Sequence, residues 1–380
     1  MNNIQNVKQI VDIEGKKVLV RVDFNVPVEN GKVMDDYRIK KSLPNIQYLK
    51  DKGAKVLLIS HIEAKVGEKT LKPVAEYLQN IMPLKFLPDF FSDESKNAIG
   101  EMQNGDVILF ENLRKNKGEE KNDDAFSKEL ASLADIYVND AFAVSHRAHA
   151  SVVGVPKFLP HYAGLLLASE IENLSKVFNP EHPFLFILGG AKFDTKLPLI
   201  QKFLSSAEKI FVGGALANDI YKEMGFNVGK SLVSGGNVDL KEIIQNEKII
   251  VPSDVIVKNG AKDENSVSTK KPEEVIDEDI IMDAGESTLR DLEKEISKMK
   301  TILWNGPLGN YELGFTTGTT GLAKIVGASN AKSIVGGGDT LAAIASLGVE
   351  DKITFISTGG GAMLEYLLNE TLPGIDALKN

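Results

Sequence analysis

Three consecutive glycines, Gly336 to Gly338, are followed by Asp339 and Thr340, residue types that together suit a phosphate group and its metal ion. A β-branched run precedes them and a helix-forming run follows, so the glycines lie in a turn where backbone N–H groups can approach an anion. The helix start attracts phosphate, and Asp339 would hold a Mg²⁺ that the phosphates share. An ordinary tight turn with Asp339 as N-cap explains the same residues equally well.

Three other stretches repeat this order of apolar strand, glycines and helix. Their turns are Gly189-Gly190, Gly213-Gly214 and Gly359-Gly360-Gly361. Four glycine turns in one half of a chain indicate strand ends gathered around a nucleotide. After the first turn, Lys192 and Lys196 lie four residues apart on one helical face. A lysine pair is usually a solvated surface, but directly after two glycines it favours contact with phosphate oxygens.

Arginine is rare in this chain and concentrated in its first half. Of 44 basic residues only five are arginines, and Arg21, Arg38, Arg114 and Arg147 all precede residue 150. The planar guanidinium binds phosphate and carboxylate in a bidentate manner that lysine cannot copy. The N-terminal half is therefore expected to bind a small, highly charged anion. Arg21 is the exception, because its place inside an alternating strand favours a buried structural ion pair.

Strands alternate with helices along the first half of the chain. Strands are predicted at 17–24, 55–60, 106–110 and 135–138, with helices at 38–52, 72–80 and 123–133. This order predicts a parallel sheet covered on both faces, with ligands beyond the carboxyl ends of its strands. Those ends carry charged and polar residues, namely Asp23, Asn25, His61, Arg114, Asn139, Asp140 and Arg147.

A second series of strands follows a connecting helix. The strands are predicted at 184–188, 209–212, 248–257, 301–304, 332–335 and 353–357. The charged segment 257–278 is expected to be an exposed loop or hairpin, and 371–378 lacks a helical period. The predicted domains are an N-terminal one at 1–165, a connecting helix at 166–180, and a C-terminal domain at 181–365. A closing segment at 366–380 is expected to pack back on the N-terminal domain.

Composition excludes several classes of protein. A net charge of −9 argues against nucleic acid or an anionic membrane as a partner, and the absence of cysteine excludes disulfides and thiolate metal sites. No apolar run reaches the ~18 residues of a membrane span, and no signal-peptide core opens the chain, so a cytoplasmic protein is expected. The segment 225–231 resembles a P-loop, but it has three residues between its glycines where four are required.

Seven motifs, in order and over nearly the whole chain, resemble those of the phosphoglycerate kinase family. They are Arg21-Val-Asp-Phe-Asn-Val-Pro27, Glu111-Asn-Leu-Arg114, Tyr137-Val-Asn-Asp-Ala-Phe142 with His146-Arg-Ala-His149, Gly189-Gly-Ala-Lys192, Trp304-Asn-Gly-Pro307, Gly336-Gly-Gly-Asp-Thr340 and Ser357-Thr-Gly-Gly-Gly361. The resemblance implies an α/β fold of two Rossmann-like, doubly wound parallel-sheet domains that face a central cleft. It implies reversible phosphoryl transfer between 1,3-bisphosphoglycerate and ADP, giving 3-phosphoglycerate and ATP. The resemblance also implies that the protein is a monomer. Its N-terminal domain would bind the glycerate, and its C-terminal domain would bind the nucleotide with Mg²⁺.

The resemblance also implies roles for particular residues. The glycerate and its phosphate would be held by Asp23, Asn25, Arg38, His61, Arg114 and Arg147. The nucleotide would be bound by Gly190, Lys192, Lys196, Gly213, Asn305, Pro307, Glu312, Gly336, Gly337, Gly338, Asp339 and Thr340, with the ribose on Glu312 and Mg²⁺ on Asp339. The transferred group would be stabilised by Arg38, Lys192, Lys196 and the amides of Gly337 and Gly338. His146 and His149 are expected to be packing groups.

The chain departs from the family pattern at three places. Ala64 stands where an arginine is expected, and Glu63 places a negative charge beside the anion site unless it pairs with Lys65. Thr195 stands where an Asp usually precedes the second lysine, and Asn310 takes a usually apolar position in the nucleotide pocket. An active kinase and a degenerate homologue that binds nucleotide or a protein partner without efficient turnover both stay open. A NAD-dependent dehydrogenase is disfavoured, because no strand opens into Gly-x-Gly-x-x-Gly.

Overall fold

A computed structural model describes residues 4–63, 69–191, 193–235, 240–259 and 266–379. The chain divides into two compact units. Unit 1 comprises residues 1–172 and 369–380, and unit 2 comprises residues 173–368. Each contains a six-stranded sheet whose strands all run parallel, which confirms the predicted α/β class. Within the described ranges, no helix is both long enough and apolar enough to cross a membrane.

In unit 1, helices and strands alternate along most of the chain. The strands are β1 (Lys17–Arg21), β2 (Val28–Glu29), β3 (Lys32–Val33), β4 (Lys55–Ile59), β5 (Lys85–Leu87), β6 (Val107–Phe110), β7 (Ile136–Asn139) and β8 (His161–Ala163). The helices are α1 (Tyr37–Asp51), α2 (Lys72–Gln79), α3 (Asp93–Glu101), α4 (Lys117–Glu120), α5 (Asp124–Ala131) and α6 (Leu165–Ser175), and the division between the units falls within α6. The sheet has the order β5-β6-β4-β1-β7-β8, while β2 and β3 form a separate hairpin.

Strand β1 lies inside this sheet because its residues are apolar on both faces. Val18, Leu19 and Val20 are fully buried. Val18 pairs with Val56 of β4 on one side and with Ile136 of β7 on the other. A continuous apolar run is typical of a parallel strand buried on both faces. The carboxyl ends of β1, β4 and β7 therefore lie side by side at one edge of the sheet.

Unit 2 repeats this plan with an additional small sheet. Its strands are β9 (Phe184–Leu188), β10 (Lys209–Val212), β11 (Ile249–Ile250), β12 (Val255–Asn259), β13 (Val267–Lys270), β14 (Asp279–Ala284), β15 (Thr301–Asn305), β16 (Lys332–Gly336) and β17 (Phe355–Ile356). Its helices are α7 (Phe193–Leu204), α8 (Ala215–Glu223), α9 (Lys241–Ile244), α10 (Glu286–Ile296), α11 (Thr317–Ala328), α12 (Gly338–Leu347) and α13 (Gly360–Asn369). The parallel sheet has the order β11-β10-β9-β15-β16-β17, and the antiparallel sheet the order β13-β12-β14.

The predicted strand at 248–257 is wrong as a single element. Strand β11 ends at Ile250 and β12 begins at Val255. Pro252 lies between them and has no N–H to donate to a sheet. The carboxylate of Asp254 accepts the N–H groups of Ser287 and Thr288 at the start of α10. The following charged segment pairs as the hairpin of β12 and β13, as predicted, although residues 260–265 lie outside the described part of the chain.

The closing segment belongs to unit 1. It contains a short helix, α14 (Pro373–Asp376), which the prediction of a non-helical segment missed because a single turn shows no period. Pro373 occupies the first turn, where no N–H partner is required. The N–H of Gly374 donates to the carbonyl of Ser145 at 2.8 Å, and the carbonyl of Gly374 accepts from the Asn139 side chain at 3.5 Å. These bonds attach the last turn of the chain to the loop that follows β7.

Candidate active site

In unit 1, the carboxyl ends of β1 and β4 carry a hydrogen-bonded series of polar residues. Asp23 follows β1, and its Oδ2 accepts a hydrogen bond from Arg38 Nη1 at 2.9 Å. The same guanidinium donates to the carbonyl of Asn25 at 3.2 Å. Oδ1 of Asn25 in turn accepts the backbone N–H of Glu63 at 2.8 Å. Helix α1 thus supplies Arg38 to the loop after β1, and Asn25 joins that loop to the one after β4.

Two further arginines reach the same place from other loops. Oδ1 of Asn112 accepts the N–H groups of Ile62 at 3.2 Å and Arg114 at 3.1 Å, which joins the loop after β6 to the loop after β4. Arg114 Nη1 contacts Oε1 of Glu63, and Arg147 Nη1 lies 3.7 Å from the same oxygen. We call Arg38, Arg114 and Arg147 the arginine cluster.

His61 is buried beside the arginine cluster in its neutral form. Arg21 Nη2 lies 3.1 Å from His61 Nδ1. Because a guanidinium can only donate, Nδ1 accepts and the proton is on Nε2. Burial, followed by the positive charges of Arg21, Arg114 and Arg147, lowers the pKa of His61 well below its ordinary value. Nε2 is buried and has no hydrogen-bond partner among the described residues, so it is a donor available to a ligand.

Arg21 does not form the predicted ion pair. It is buried, and its Nε donates to Ser151 Oγ at 3.0 Å, while Ser151 Oγ donates to Oε1 of the buried Glu119 at 2.6 Å. Across the part of the chain that the structure describes, no carboxylate lies within ion-pair distance of Arg21. Burial lowers the pKa of Arg21, and the charge of Glu119 opposes that change. The hydroxyl of Ser151 thus lies between the guanidinium of Arg21 and the carboxylate of Glu119.

His149 lies near the same buried carboxylate. Its Nδ1 is 4.0 Å from Oε1 of Glu119. Burial, followed by the charges of Arg114 and Arg147, lowers the pKa of His149 to about 4, so the ring is neutral near pH 7. Packing roles for His146 and His149 stay a prediction.

Unit 2 contains a cavity of about 460 Å³ at the carboxyl ends of its parallel strands. Small-molecule sites typically occupy about 300–1,000 Å³. Its wall contains eight of the residues predicted to bind nucleotide, namely Gly190, Lys196, Asn305, Pro307, Glu312, Gly337, Gly338 and Asp339. Gly214 lines the cavity as well, whereas its neighbour Gly213 packs against Leu308. Gly336 and Thr340 are buried behind the wall.

Main-chain segments pack directly against each other around this cavity. A Cβ atom at Gly189 would lie 2.2 Å from the carbonyl oxygen of Pro307. A Cβ atom at Gly214 would lie 2.5 Å from the backbone nitrogen of Gly190, and Gly214 also has a φ of +61°. Only glycine combines this conformation with this close approach. Part of the cavity wall is therefore formed by backbone, which explains the repeated glycine turns.

Lys196 is the buried cation of the cavity. It lies on α7 with 9% exposure, and its Nζ donates to the carbonyl of Gly189 at 2.5 Å. Burial lowers its pKa to about 8. A bound anion would offset this cost of burial and favour the charged form. Lys192, its predicted companion, lies outside the described residues, as does the side chain of Thr195.

Helix α12 presents its N-terminus to the cavity. The helix begins at Gly338, directly after Gly337, which has a φ of +108°. Apart from its chain neighbours and the backbone of α12, no heavy atom of the described residues lies within 4 Å of the place that a Cβ of Gly338 would take. The first N–H groups of a helix lack intrahelical partners, and Thr340 Oγ1 is buried without a partner among the described residues. An open helix start of this kind suits a phosphate group.

Asp339 is the residue that fits a metal ion. It lines the cavity from the first turn of α12. Burial, followed by the negative charge of Glu312, raises the pKa of Asp339. A divalent cation would offset both effects. The described residues contain no group of three or more histidine or acidic side chains arranged for a metal.

The polar Asn310 has a structural role in the loop that carries Glu312. Its Oδ1 accepts the N–H of Leu313 at 3.3 Å and caps the 3₁₀ turn Tyr311–Leu313. Its backbone N–H donates to the carbonyl of Met282 at 2.7 Å. These two bonds explain a polar residue at a position where the sequence pattern favoured an apolar one.

Asp283 was missed as a site residue by the sequence interpretation. It lines the cavity at the end of β14, and its carboxylate accepts the N–H groups of Gly318 at 2.9 Å and Ala284 at 2.9 Å. Burial raises its pKa to about 6. Asp283 therefore holds the start of α11 and the end of the Glu312 loop against β14. The available signal was an aspartate at the end of an apolar strand, directly before Ala284 and Gly285.

The class of protein that these two sites define is an α/β enzyme of phosphoryl transfer. The protein-family model of phosphoglycerate kinase matches residues 7–370. The phosphoglycerate kinase of Dictyoglomus turgidum is 45% identical over 383 residues, which cover 97% of each chain. That of Finegoldia magna is 44% identical over 388 residues, with 97% of each chain covered. The chain belongs to the phosphoglycerate kinase family.

Two solved structures are also similar to this chain. The phosphoglycerate kinase of Coxiella burnetii matches with a TM-score of 0.83 and 36% identity, over 99% of this chain and 98% of that one. The enzyme of Pyrococcus horikoshii OT3 matches with a TM-score of 0.86 and 30% identity, again over 99% and 98%. The chain is accordingly a kinase with a carboxyl group as acceptor, as predicted, and none of these comparisons favours the degenerate alternative.

Proposed function

We propose that this chain catalyses the reversible transfer of a phosphoryl group between 1,3-bisphosphoglycerate and ADP, giving 3-phosphoglycerate and ATP. The observation that carries this proposal is the arginine cluster of unit 1, which surrounds a neutral His61 at the carboxyl edge of the sheet. Guanidinium groups suit an acceptor that carries both a phosphate and a carboxylate. A protein that only bound nucleotide would have no use for such a cluster.

On the acceptor side, charge and orientation come from different residues. Arg38, Arg114 and Arg147 neutralise the phosphate and carboxylate of 3-phosphoglycerate. His61 donates a hydrogen bond from Nε2, the one orientation that its contact with Arg21 allows. Asp23 holds the Arg38 guanidinium by the bond at 2.9 Å, and Asn25 positions the neighbouring loop. Arg38 also stabilises the group in transit.

On the nucleotide side, the cavity of unit 2 binds ADP or ATP. Lys192 and Lys196 meet the phosphates, Glu312 binds the ribose, and Asp339 holds the Mg²⁺ that the phosphates share. The remaining positions, proposed to shape the pocket or to approach the nucleotide through their backbone, are Gly190, Gly213, Asn305, Pro307, Gly336, Gly337, Gly338 and Thr340. The cavity volume and the open start of α12 support this assignment.

The chemical step requires positive charge and positioning more than proton transfer. A carboxylate oxygen of 3-phosphoglycerate attacks the γ-phosphorus of ATP while the bond from that phosphorus to the bridging oxygen of ADP breaks. The attacking carboxylate is already ionised near pH 7, so no general base is needed. Arg38, Lys192, Lys196 and the amides of Gly337 and Gly338 stabilise the charge on the transferred group. Bound Mg²⁺ adds charge neutralisation on the phosphate oxygens.

The organisation of the chain is part of the same proposal. The N-terminal domain carries the acceptor and the C-terminal domain the nucleotide. Transfer requires the reacting atoms to come within ~3–3.5 Å, so the two domains must bring their ligands together. One chain carries both sets of residues, which supports a monomer, and we propose that it acts in the cytoplasm.

A coupled assay tests the proposed reaction. The purified protein is supplied with 3-phosphoglycerate and MgATP, and the 1,3-bisphosphoglycerate formed is consumed by a dehydrogenase that oxidises NADH. We expect NADH loss that requires both substrates and stops when a chelator removes the metal. ATP consumption that is independent of 3-phosphoglycerate, or no consumption at all, would refute the proposal.

A further inference from the structure

The carboxylate of Glu63 lies at the arginine cluster of unit 1. Its Oε1 contacts Arg114 Nη1 and lies 3.7 Å from Arg147 Nη1. Two of the three guanidinium groups proposed to bind the acceptor therefore share one internal carboxylate oxygen. The sequence offered Lys65 as an alternative partner for Glu63, but that residue lies outside the described ranges. The arginines themselves provide the countercharge.

The backbone fixes Glu63 in this position. Its N–H donates to Asn25 Oδ1 at 2.8 Å. The preceding residue, Ile62, exchanges two hydrogen bonds with the Asn112 side chain: its N–H donates to Oδ1 at 3.2 Å, and its carbonyl accepts from Nδ2 at 2.9 Å. Asn112 also accepts the N–H of Arg114 at 3.1 Å. Asn112 thus joins the residue before Glu63 to Arg114, while Asn25 holds the N–H of Glu63, so the contact between Glu63 and Arg114 is part of the loop structure.

Exposure distinguishes the carboxylate from the arginine that it meets. The side chain of Glu63 is 48% exposed, whereas that of Arg114 is 15% exposed. Glu63 can therefore rotate into solvent, while Arg114 stays in place. Arg114 also has Glu120 at 3.4 Å from its Nε, on the other side of the guanidinium from Nη1. Departure of Glu63 would open the Nη1 side of Arg114 and the adjacent Nη1 of Arg147 to an incoming anion.

We propose that Glu63 is an internal competitor for the phosphate of the acceptor, and so sets the affinity and charge specificity of the site. A ligand phosphate that carries two negative charges replaces one carboxylate charge between the arginines, so its binding is favoured. An acceptor with a single negative charge gains little by the exchange. This inference rests on the proposed function for the identity of the acceptor.

The matched pair of variants Glu63→Gln and Glu101→Gln tests the inference. Both remove one negative charge from unit 1, but Glu101 is exposed at the end of α3, away from the arginine cluster. Glu63→Gln should lower the KM for 3-phosphoglycerate about three- to fivefold, the size expected for loss of a partly exposed ion pair, with the KM for ATP matching that of the control. Glu101→Gln should leave both KM values unchanged. Thermal melting of each variant checks that the fold is retained.

Calorimetric titration with inorganic phosphate separates this inference from the proposed reaction. Glu63→Gln should bind phosphate about three- to fivefold more tightly than the wild type does, whether or not the wild type turns over. If the wild type shows no kinase activity but this gain is seen, the proposed function fails and the competition stands. An unchanged phosphate affinity, or a raised KM for 3-phosphoglycerate in Glu63→Gln, would show that Glu63 only supports Arg114 and would overturn the inference.

Discussion

The two anion sites are built from different parts of the chain. In unit 1, long charged side chains are held by other side chains, as Arg38 is by Asp23 and Arg114 is by Glu63. In unit 2, part of the wall is main chain, with Gly189 and Gly214 in contact with neighbouring backbone and one helix start open. A side chain can exchange an internal partner for a ligand, whereas a glycine turn cannot move without its strand. The first site is therefore tuned by charge and the second by shape.

Lys196 departs from this pattern in unit 2, because it is a buried charged side chain whose Nζ donates to a main-chain carbonyl. Lys196→Ala should lower kcat ~100- to 1000-fold, since its charge is needed most when the phosphoryl group is between its two partners. The KM for ATP should change far less. Lys324→Ala on the exposed side of α11 is the control and should keep full activity. A Lys196 variant with more than half of the wild-type kcat would rule out this role.

The shape of the cavity in unit 2 is tested by two glycines with the same φ but different surroundings. Gly214 and Gly348 both have a φ of +61°, but a Cβ would clash 2.5 Å from Gly190 N at the first and, its chain neighbours apart, meet nothing within 4 Å at the second. Gly348 is left-handed helical with a ψ of 39°, whereas the ψ of −154° at Gly214 belongs to a region that is essentially restricted to glycine. Backbone strain and the clash act in the same direction, so Gly214→Ala should be less stable than Gly348→Ala by at least about 1–3 kcal/mol, the usual cost of overpacking alone, and should bind nucleotide more weakly. Equal free energies of unfolding in urea would show that the cavity wall moves to accommodate the added Cβ.

Asp283 gives a pH-dependent test of how the cavity is held. Burial raises its pKa from 3.8 to about 6 in the folded protein, so the folded state binds this proton more tightly than the unfolded state. The stabilisation that protonated Asp283 gives to the folded state is present below about pH 4 and is lost as the pH rises through about 6. Asp283→Asn cannot titrate, so its stability relative to the wild type should improve by about 1–3 kcal/mol between about pH 4 and 7. If the difference in the free energy of unfolding between Asp283→Asn and the wild type, measured by urea denaturation, does not change with pH, the raised pKa of Asp283 is contradicted.

Local patterns predicted most of the fold. The bounds predicted for β9 and β10 agree with the structure, because each is a short apolar run that ends at glycines. Prediction failed where a side chain had a distant partner. Asp254 ends the predicted strand at 248–257 by capping α10, some 34 residues further along the chain. The single turn of α14 was too short to show a period.

The candidate site follows the same rule. Residue types at strand ends were sufficient to select Asp23, His61 and Arg114, because parallel strands place those ends at one edge. Contacts between loops could not be predicted from residue types at strand ends. Glu63 meets Arg114 across 51 residues, and Asp283 meets Gly318 across 35. Such pairs depend on loop conformations that periodicity does not encode, so the contact of Glu63 with Arg114 and the bond from Gly318 to Asp283 emerged only from the structure.

The attachment of α14 to unit 1 also constrains the order of biosynthesis. Residues 369–380 are made after unit 2, yet they complete unit 1, whose other residues precede it. Until Gly374 emerges from the ribosome, the carbonyl of Ser145 and the side chain of Asn139 each lack one hydrogen bond that they make in the folded protein. Unit 2, at residues 173–368, is one continuous stretch. Unit 1 is therefore begun before unit 2 and completed after it, so a nascent chain can close unit 2 before unit 1.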